Sequence, residues 1–377
     1  MSAAIEGRVE PGYEPVREAF EENFRSHGDV GAAVCVYRHG RPVVDLWGGR
    51  DGERAWRSDQ VVMVFSSTKG VTATCAHLLA QRGELDLDAP VADYWPEFAA
   101  QGKGEIPVLW LLCHRAGLAA VEGEFELADV LCWDPVIEAL AAQKPNWTPG
   151  DGHGYHARSY GWCVGEVIRR VSGRSVGRFW AEEIAAPLGL DFWIGLPESI
   201  ESRCAALLPP QETPLLDAIP PGSLGMRVMT GPGDVFAGGY DQTWNRREVR
   251  AAEIPSSNGI GDARSLARLY AATVGEVDGL RLLEPKTVRD ASASQARGPD
   301  RVLGLETHFG SGYALPPMLG AAVGPRAFGH PGAGGSLGFA DPEAGLGFGY
   351  AMNQMKLNAL GDERGESLVR AAYACLG

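Results

Sequence analysis

The stretch VFSSTKG, residues 64–70, places Ser66 three residues before Lys69 at the start of a predicted helix. Residues i and i+3 of a helix lie on one face about one turn apart, so the lysine amine can reach the serine hydroxyl. A desolvated lysine can be neutral and accept a proton, whereas an arginine stays charged. Only five of the 34 basic residues are lysines, and Lys69 alone among them follows a serine by three positions. The stretch alone fits either a lysine-activated serine nucleophile or an ordinary serine at a helix start.

The composition narrows the classes of partner. The chain has 377 residues, a net charge of −14 and a pI near 5.1, with no basic stripe, which argues against nucleic acid and anionic membranes as partners. No apolar run reaches the ~18 residues that a membrane-spanning helix needs. Seven scattered cysteines without CxxC spacing, behind an N-terminus without an apolar leader, predict a cytoplasmic protein with reduced thiols. The composition leaves the oligomeric state open.

Strand signals lie near both ends of the chain, and helical signals lie between them. A first helix is predicted over residues 13–27, and a hairpin over 31–49 turns at His39-Gly40. Three strands separated by turns are predicted within 327–355, followed by a last helix over about 360–375. Further predicted helices cover Ser66 to Gly83, 108–118, the second half of 147–173, 176–184 and 262–275.

These elements predict an α+β fold in which both termini build one antiparallel sheet, flanked by helices, with an all-helical domain inserted in the middle. The predicted α/β domain comprises residues 1–70 and 216–377, and the helical domain comprises 71–215, with the active site at their interface. Residues 205–260 are rich in proline and glycine and poorly periodic, which is typical of a lid or binding loop.

A second serine competes with Ser66. Gly334-Gly335-Ser336-Leu337-Gly338 matches the G-x-S-x-G nucleophile elbow, which requires a strand–turn–helix context and a histidine later in the chain. The last histidine, His330, precedes Ser336, and the residues after Ser336 have the pattern of a hairpin. We therefore interpret these glycines as serving a tight turn.

Three motifs occur in the order and at the spacing of a known family: Ser66-Ser67-Thr68-Lys69, Tyr155-His156-Ala157 and His330-Pro331-Gly332. With them the chain resembles the serine β-lactamase-like superfamily, which includes class C β-lactamases and D,D-peptidases. Within it, the chain most resembles the family VIII carboxylesterases, over nearly its whole length. The resemblance implies a β-lactamase/transpeptidase-like fold.

The resemblance also implies roles for individual residues. Ser66 would be the nucleophile that forms an acyl-enzyme, with Lys69 and Tyr155 as general base and acid; which of the two takes the first proton stays open at this stage. The backbone N–H groups of Ser66 and Ala333 would form the oxyanion hole. The third motif, His330-Pro331-Gly332, would line the substrate pocket.

Two departures from the β-lactamase pattern bear on the substrate. Ala157 stands where β-lactamases have an asparagine amide, and His330 stands where they have a lysine that attracts the β-lactam carboxylate. The resemblance therefore implies a carboxylesterase that acts on short-chain esters of small molecules without a cofactor. A β-lactamase, D,D-peptidase or acyl transferase using the same site is the first alternative, and a non-catalytic binding or assembly protein of the same fold is the second.

The remaining histidines are assigned no catalytic role. They lack the H-x-x-x-H and H-E-x-x-H spacings of metal sites, so no metal is expected. His114 is interpreted as a packed structural residue, and His153 and His156 as polar loop residues.

Overall fold

A central antiparallel sheet contains strands from both ends of the chain. The structure, a computed structural model, describes residues 4–357 and 361–376, with the backbone alone for residue 215. Its strands are β1 (Ile5–Val9), β2 (Gly31–Arg38), β3 (Arg41–Asp51), β4 (Arg54–Ala55), β5 (Val62–Met63), β6 (Phe192–Trp193), β7 (Ile260–Gly261), β8 (Ala296–Pro299), β9 (Glu306–Phe309), β10 (Phe328–Pro331), β11 (Leu337–Asp341) and β12 (Leu346–Met352). The central sheet has the order β1-β3-β2-β12-β11-β10, with β4 added to β3. Two further groups of strands are β5-β7-β6 and β8-β9, and Ala314 bridges β9 at Phe309 to β10 at Gly329.

Helices fill the middle of the chain and flank the sheet. They are α1 (Glu14–Ser26), α2 (Ser67–Gln81), α3 (Val91–Tyr94), α4 (Val108–Leu112), α5 (Leu127–Leu131), α6 (Asp134–Ala142), α7 (Ser159–Ser172), α8 (Val176–Trp180), α9 (Ala186–Leu188), α10 (Pro214–Asp217), α11 (Leu224–Thr230), α12 (Tyr240–Trp244), α13 (Arg247–Ala251), α14 (Ala263–Val274), α15 (Pro285–Ala291) and α16 (Glu363–Ala374). A π-helical turn over Ala181–Ala185 joins α8 to α9. No helix of the described residues is long and apolar enough to cross a bilayer.

The two faces of the sheet bury different helices because side chains alternate along each strand. In β2, Val34 and Val36 pack in the same apolar cluster as residues of α1 and α16, while Cys35 and Tyr37 join the cluster that contains α14. Helix α14 lies directly on the sheet at Gly347 and Gly349 of β12, where a Cβ atom would collide with α14 backbone. The sheet is thus covered on both faces.

Helix α2 runs through the interior of the protein. Of its 15 residues, 13 are buried, so it has no solvent face, and it packs against α7, α8 and β10. Strand β5 ends at Met63, three residues before Ser66, and pairs with β7. This arrangement fixes the start of α2 between the sheet and the helical part of the chain.

Most predicted elements are confirmed, including the hairpin turn at His39-Gly40, both of which have positive φ. The helix predicted over 108–118 is wrong in length: α4 ends at Leu112 because His114 and Gly117 adopt left-handed φ values of 63° and 73°. Residues 205–260 contain the short helices α10 to α13, which are too short to give a periodic signal. Edge strand β1 was missed because its three central residues are exposed.

The predicted α+β class, with an antiparallel sheet from both termini, is confirmed. The last helix begins at Glu363, and residue 360 of its predicted range lies outside the described residues. The proposed domain boundaries stay a prediction.

Candidate active site

A strained residue sets the position of Ser66. Phe65 has a φ of 43°, a left-handed conformation that costs a non-glycine residue about 1–3 kcal/mol and persists only where packing enforces it. Its ring is fully buried and meets the edges of Tyr240 and Trp244 at centroid distances of 5.4 and 5.3 Å. The chain therefore turns sharply before α2, and Ser66 occupies the N-cap position of that helix.

The amine of Lys69 is completely buried and has three oxygen neighbours. Its Nζ lies 3.1 Å from Ser66 Oγ, 2.8 Å from the carbonyl oxygen of Ala157 and 3.0 Å from that of Ser256. Carbonyl oxygens only accept hydrogen bonds, so both must receive N–H groups from Lys69. A neutral amine has two such groups, and its lone pair is then left for the third neighbour, the Ser66 hydroxyl.

The electrostatics favour this neutral form. Burial, and secondarily the positive charge of Arg158, hold the pKa of Lys69 well below its usual value of 10.5. The two carbonyls supply dipoles but no negative charge that would restore the ammonium. Lys69 is thus equipped to receive a proton from Ser66.

The ring of Tyr155 lies beside this pair, with Lys69 Nζ 4.8 Å from its centroid. The ring of Phe309 stacks on it at 6.0 Å with an interplanar angle of 6°, and His330 stacks at 6.1 Å. The backbone N–H of Tyr155 donates to Asp300 Oδ1 at 3.1 Å. Burial raises the pKa of the Tyr155 phenol, while a hydrogen bond with Ser66 opposes that shift. Tyr155 is therefore a neutral phenol in contact with the predicted nucleophile.

Histidines of the second motif and of the loop after α4 support Tyr155 rather than face solvent. The buried ring of His114 packs against Tyr155 at 5.0 Å, and its Nδ1 accepts the backbone N–H of His156 at 3.2 Å. His156 donates from Nδ1 to Gly154 O and accepts the Leu118 N–H at Nε2. The loop histidines His153 and His156 are thus buried, with His153 bonded to Thr307 at 2.7 Å.

The third motif lies against the start of α2. Its His330 is buried and donates from Nδ1 to the carbonyl of Pro331 at 2.7 Å, so Nε2 carries the lone pair. Within the described residues this Nε2 has no hydrogen-bond partner. Burial, and then the charge of Lys69, lower the pKa of His330 to about 3. A neutral histidine therefore occupies this wall of the site.

Ser336 is a structural residue of the same wall. Its buried hydroxyl donates to the carbonyl of Val64 at 2.7 Å and lies 3.1 Å from Ser67 Oγ, which in turn donates to the carbonyl of His330. Among the described residues, its hydroxyl has no histidine, lysine or carboxylate as a hydrogen-bond partner, and a hairpin of β11 and β12 follows it. Gly332 fits here because a Cβ atom would collide with both Val64 and Ser336. These contacts tie the third motif to the strand before Ser66.

Two backbone amides are free to bind an anion. Within the described residues, neither the Ser66 N–H nor the Ala333 N–H donates to an acceptor of the protein. The first lies at the positive end of the α2 dipole, and the second follows the anchored Gly332. Unused donors that flank a serine hydroxyl are what an oxyanion hole requires.

The backbone N–H of Ala333 can be removed by substitution with proline, which has no N–H to donate. We expect Ala333→Pro, which deletes the N–H, to lower the kcat of ester hydrolysis on the order of 10²-fold. Ala333→Gly keeps the N–H and is the matched control, expected to retain most activity. Steady-state kinetics on both variants, with thermal melting to verify folding, would contradict the assignment if the two lose activity equally.

Sequence reasoning missed several residues that complete the site. Phe309 stacks on Tyr155, the carbonyl of Ser256 accepts a hydrogen bond from Lys69, and the buried Arg158 acts electrostatically on Lys69 and Tyr155. In the sequence, Arg158 precedes a helix and has the pattern of a surface charge, and the position of a backbone carbonyl cannot be predicted from residue types.

The described residues contain no group of three or more His, Cys, Asp or Glu side chains that would hold a metal.

Comparisons with known proteins match this geometry. The Beta-lactamase family profile matches residues 16–373. The chain belongs to the β-lactamase family. It is 36% identical over 366 residues to the esterase/β-lactamase LipL of Mycobacterium tuberculosis, a match that covers 93% of this chain and 83% of that protein.

Two crystal structures are similar over almost the whole chain. A family VIII carboxylesterase is 40% identical with a TM-score of 0.90, covering 99% of this chain and 100% of its own. A penicillin-binding protein homologue from Caulobacter crescentus is 38% identical with a TM-score of 0.91 and the same coverage. The β-lactamase-like fold and the resemblance to family VIII carboxylesterases are confirmed, and the chain is a hydrolase of the esterase/β-lactamase type.

Proposed function

We propose that this protein is a serine carboxylesterase that hydrolyses short-chain acyl esters through an acyl-enzyme on Ser66. The observation that carries the proposal is the contact of 3.1 Å between Ser66 Oγ and Lys69 Nζ, whose two other neighbours are both carbonyl oxygens. The lone pair of the amine is thereby aimed at the hydroxyl proton. The names of similar proteins support ester substrates.

Acylation follows from this geometry. Ser66 Oγ bonds to the ester carbonyl carbon as its proton passes to Lys69 Nζ, and the carbonyl oxygen becomes an oxyanion. The amides of Ser66 and Ala333 bind that oxyanion. Lys69 is the first base in this proposal because its pKa is lowered, whereas that of Tyr155 is raised.

The leaving alcohol needs a proton donor, and the neutral phenol of Tyr155 supplies it. As the carbon–oxygen bond to the alcohol breaks, the Tyr155 proton passes to the alkoxide and the Lys69 ammonium restores the phenol. In deacylation a water molecule replaces the alcohol and the same transfers run in reverse, which releases the acid and regenerates the Ser66 hydroxyl.

Two features favour a neutral ester over a β-lactam. Ala157 offers no side-chain amide, and its carbonyl is already occupied by Lys69. The pKa of about 3 keeps His330 uncharged at neutral pH, so it gives no attraction to a carboxylate. The ring of Tyr155 contacts Ser66 and is backed by the stacked rings of Phe309 and His330, which favours small acyl groups.

The test compares substrates that differ in acyl length and charge. We expect kcat/KM to be higher for p-nitrophenyl acetate and butyrate than for the laurate, and higher for all three than for nitrocefin. Ser66→Ala protein, measured in parallel, corrects for non-enzymatic hydrolysis. Nitrocefin turnover equal to ester turnover would instead assign a β-lactamase, and folded protein inactive on every substrate would favour a binding protein.

A further inference from the structure

Among the residues that the structure describes, Arg158 is a buried cation without a carboxylate partner. The residue is 5% exposed, and in the part of the chain that the structure describes, its Nε has no hydrogen-bond partner. Nη1 donates to Ser257 Oγ at 3.0 Å and Nη2 to the carbonyl of Met229 at 3.5 Å, and in the described residues the groups that raise its pKa are the phenols of Tyr240 and Tyr155. A buried charge that is not paired is costly, so its retention calls for a physical reason.

Arg158 and Lys69 are attached to the same two backbone segments. Lys69 Nζ donates to the carbonyl of Ala157, and Arg158 is the next residue. Lys69 Nζ also donates to the carbonyl of Ser256, and the Arg158 guanidinium bonds to the next residue, Ser257. Ser256 Oγ closes the unit by donating to the carbonyl of Arg158 at 2.8 Å. The Arg158 guanidinium and the Lys69 amine are thus tied to one hydrogen-bonded frame.

Aromatic rings of residues 205–260 hold the guanidinium in place. Its Cζ lies 4.8 Å from the ring centroid of Trp244 and 5.5 Å from that of Phe236, which stack on each other. Cation–π contacts of a desolvated arginine are favourable, which offsets part of the burial cost. Trp244 also contacts Phe65, directly before Ser66. This cage keeps a positive charge at a fixed place near the catalytic pair.

We propose that Arg158 is a positioning residue whose caged charge keeps Lys69 in the amine form that accepts the Ser66 proton. This inference rests on the proposed esterase function and deepens it. Arginine suits the task because its guanidinium never deprotonates, whereas a second lysine there would lose its own proton. The same charge also acts to lower the pKa of Tyr155, against the effect of burial. It therefore favours proton release by Lys69 and by Tyr155.

The other titratable groups around Lys69 do not supply this charge. Burial lowers the pKa values of the surrounding imidazoles and raises those of the surrounding phenols, so both kinds of side chain are neutral near pH 7. The imidazoles are those of His114, His156 and His330, and the phenols are those of Tyr155, Tyr160 and, beside Arg158, Tyr240. The nearby carboxyl of Asp300 accepts the Tyr155 N–H and acts on that phenol. In the described residues, Arg158 is the group whose charge acts on Lys69.

Removing the positive charge of Arg158 raises the pKa of Lys69. Activity rises with pH as Lys69 loses its proton, so the acidic limb of the kcat/KM profile reports the proton equilibrium of the Ser66–Lys69–Tyr155 unit. We expect Arg158→Gln and Arg158→Met to move that limb upward by about one pH unit, the size typical of removing a nearby charge. Arg289→Gln, which removes an exposed arginine of α15, is the matched control and keeps the limb of the wild type.

A second measurement does not need turnover. The chain has only five lysines, so 13C-labelled lysine gives few NMR signals, and the Lys69 signal is the one missing in Lys69→Arg protein. We expect the Lys69 pKa to rise by about one unit in Arg158→Gln. An unchanged Lys69 pKa and acidic limb, with only KM altered, would overturn the inference and leave the esterase standing. A raised pKa in a protein that hydrolyses no ester would overturn the proposed function alone.

Discussion

Replacing Ser66 with alanine is expected to abolish ester hydrolysis, with a fall in kcat on the order of 10⁴-fold or more, because the covalent intermediate cannot form. The oxyanion donors and the substrate contacts remain, so a small residual rate above that of water is expected. The variant should fold normally, since Ser66 is only partly buried and its side chain does not cap α2. Steady-state and stopped-flow measurements with p-nitrophenyl butyrate on both proteins would detect the loss of turnover and of any acylation burst in the variant.

Ser336→Ala is the matched control for this prediction. Its hydroxyl is buried and bonded to the carbonyl of Val64, so its loss costs about 1–3 kcal/mol of unfolding free energy. We expect a lower melting temperature with kcat within about tenfold of the wild type, because the hydroxyl takes no part in the chemistry. Full activity in Ser66→Ala, or inactivity confined to Ser336→Ala, would move the nucleophile to the glycine-rich turn.

The contrast between the two serines shows what the sequence can predict. The Ser66–Lys69 contact follows from helical geometry alone, because positions i and i+3 meet wherever the helix forms. The exclusion of Ser336 also followed from local pattern, since a hairpin instead of a helix comes after it. Both conclusions rest on short-range order, which residue spacing encodes well.

The parts of the site that depend on contacts between distant segments could not be predicted from residue spacing. Tyr155 lies in a loop and was assigned by resemblance, because nothing local shows that its ring would face Lys69. The burial of Arg158 depends on Phe236 and Trp244, which come from segments too short to give a periodic pattern. The carbonyls that fix the Lys69 amine belong to backbone, whose direction depends on the tertiary fold.

Lys69→Arg is expected to be nearly as inactive as Lys69→Ala, with kcat lowered on the order of 10³-fold or more in both. Arginine keeps the positive charge but cannot give up its proton at any working pH, so it offers Ser66 no lone pair. Alanine removes the base and also leaves the carbonyls of Ala157 and Ser256 unpaired. Equal losses in two variants that differ in charge identify proton acceptance as the property that matters.

Lys103 provides the control for burial and size. It is also fully buried, and its Nζ donates to the carbonyls of Ala100, Ala141 and Gln143, with no serine hydroxyl of the described residues among its hydrogen-bond partners. Lys103→Arg therefore overpacks a similar carbonyl frame and should lower the melting temperature while kcat per folded molecule stays near that of the wild type. Retained activity in Lys69→Arg would mean that charge alone suffices. Because Lys69 and Lys103 share burial and carbonyl partners, the difference between their arginine variants isolates the one contact that Lys69 alone has, its approach to Ser66.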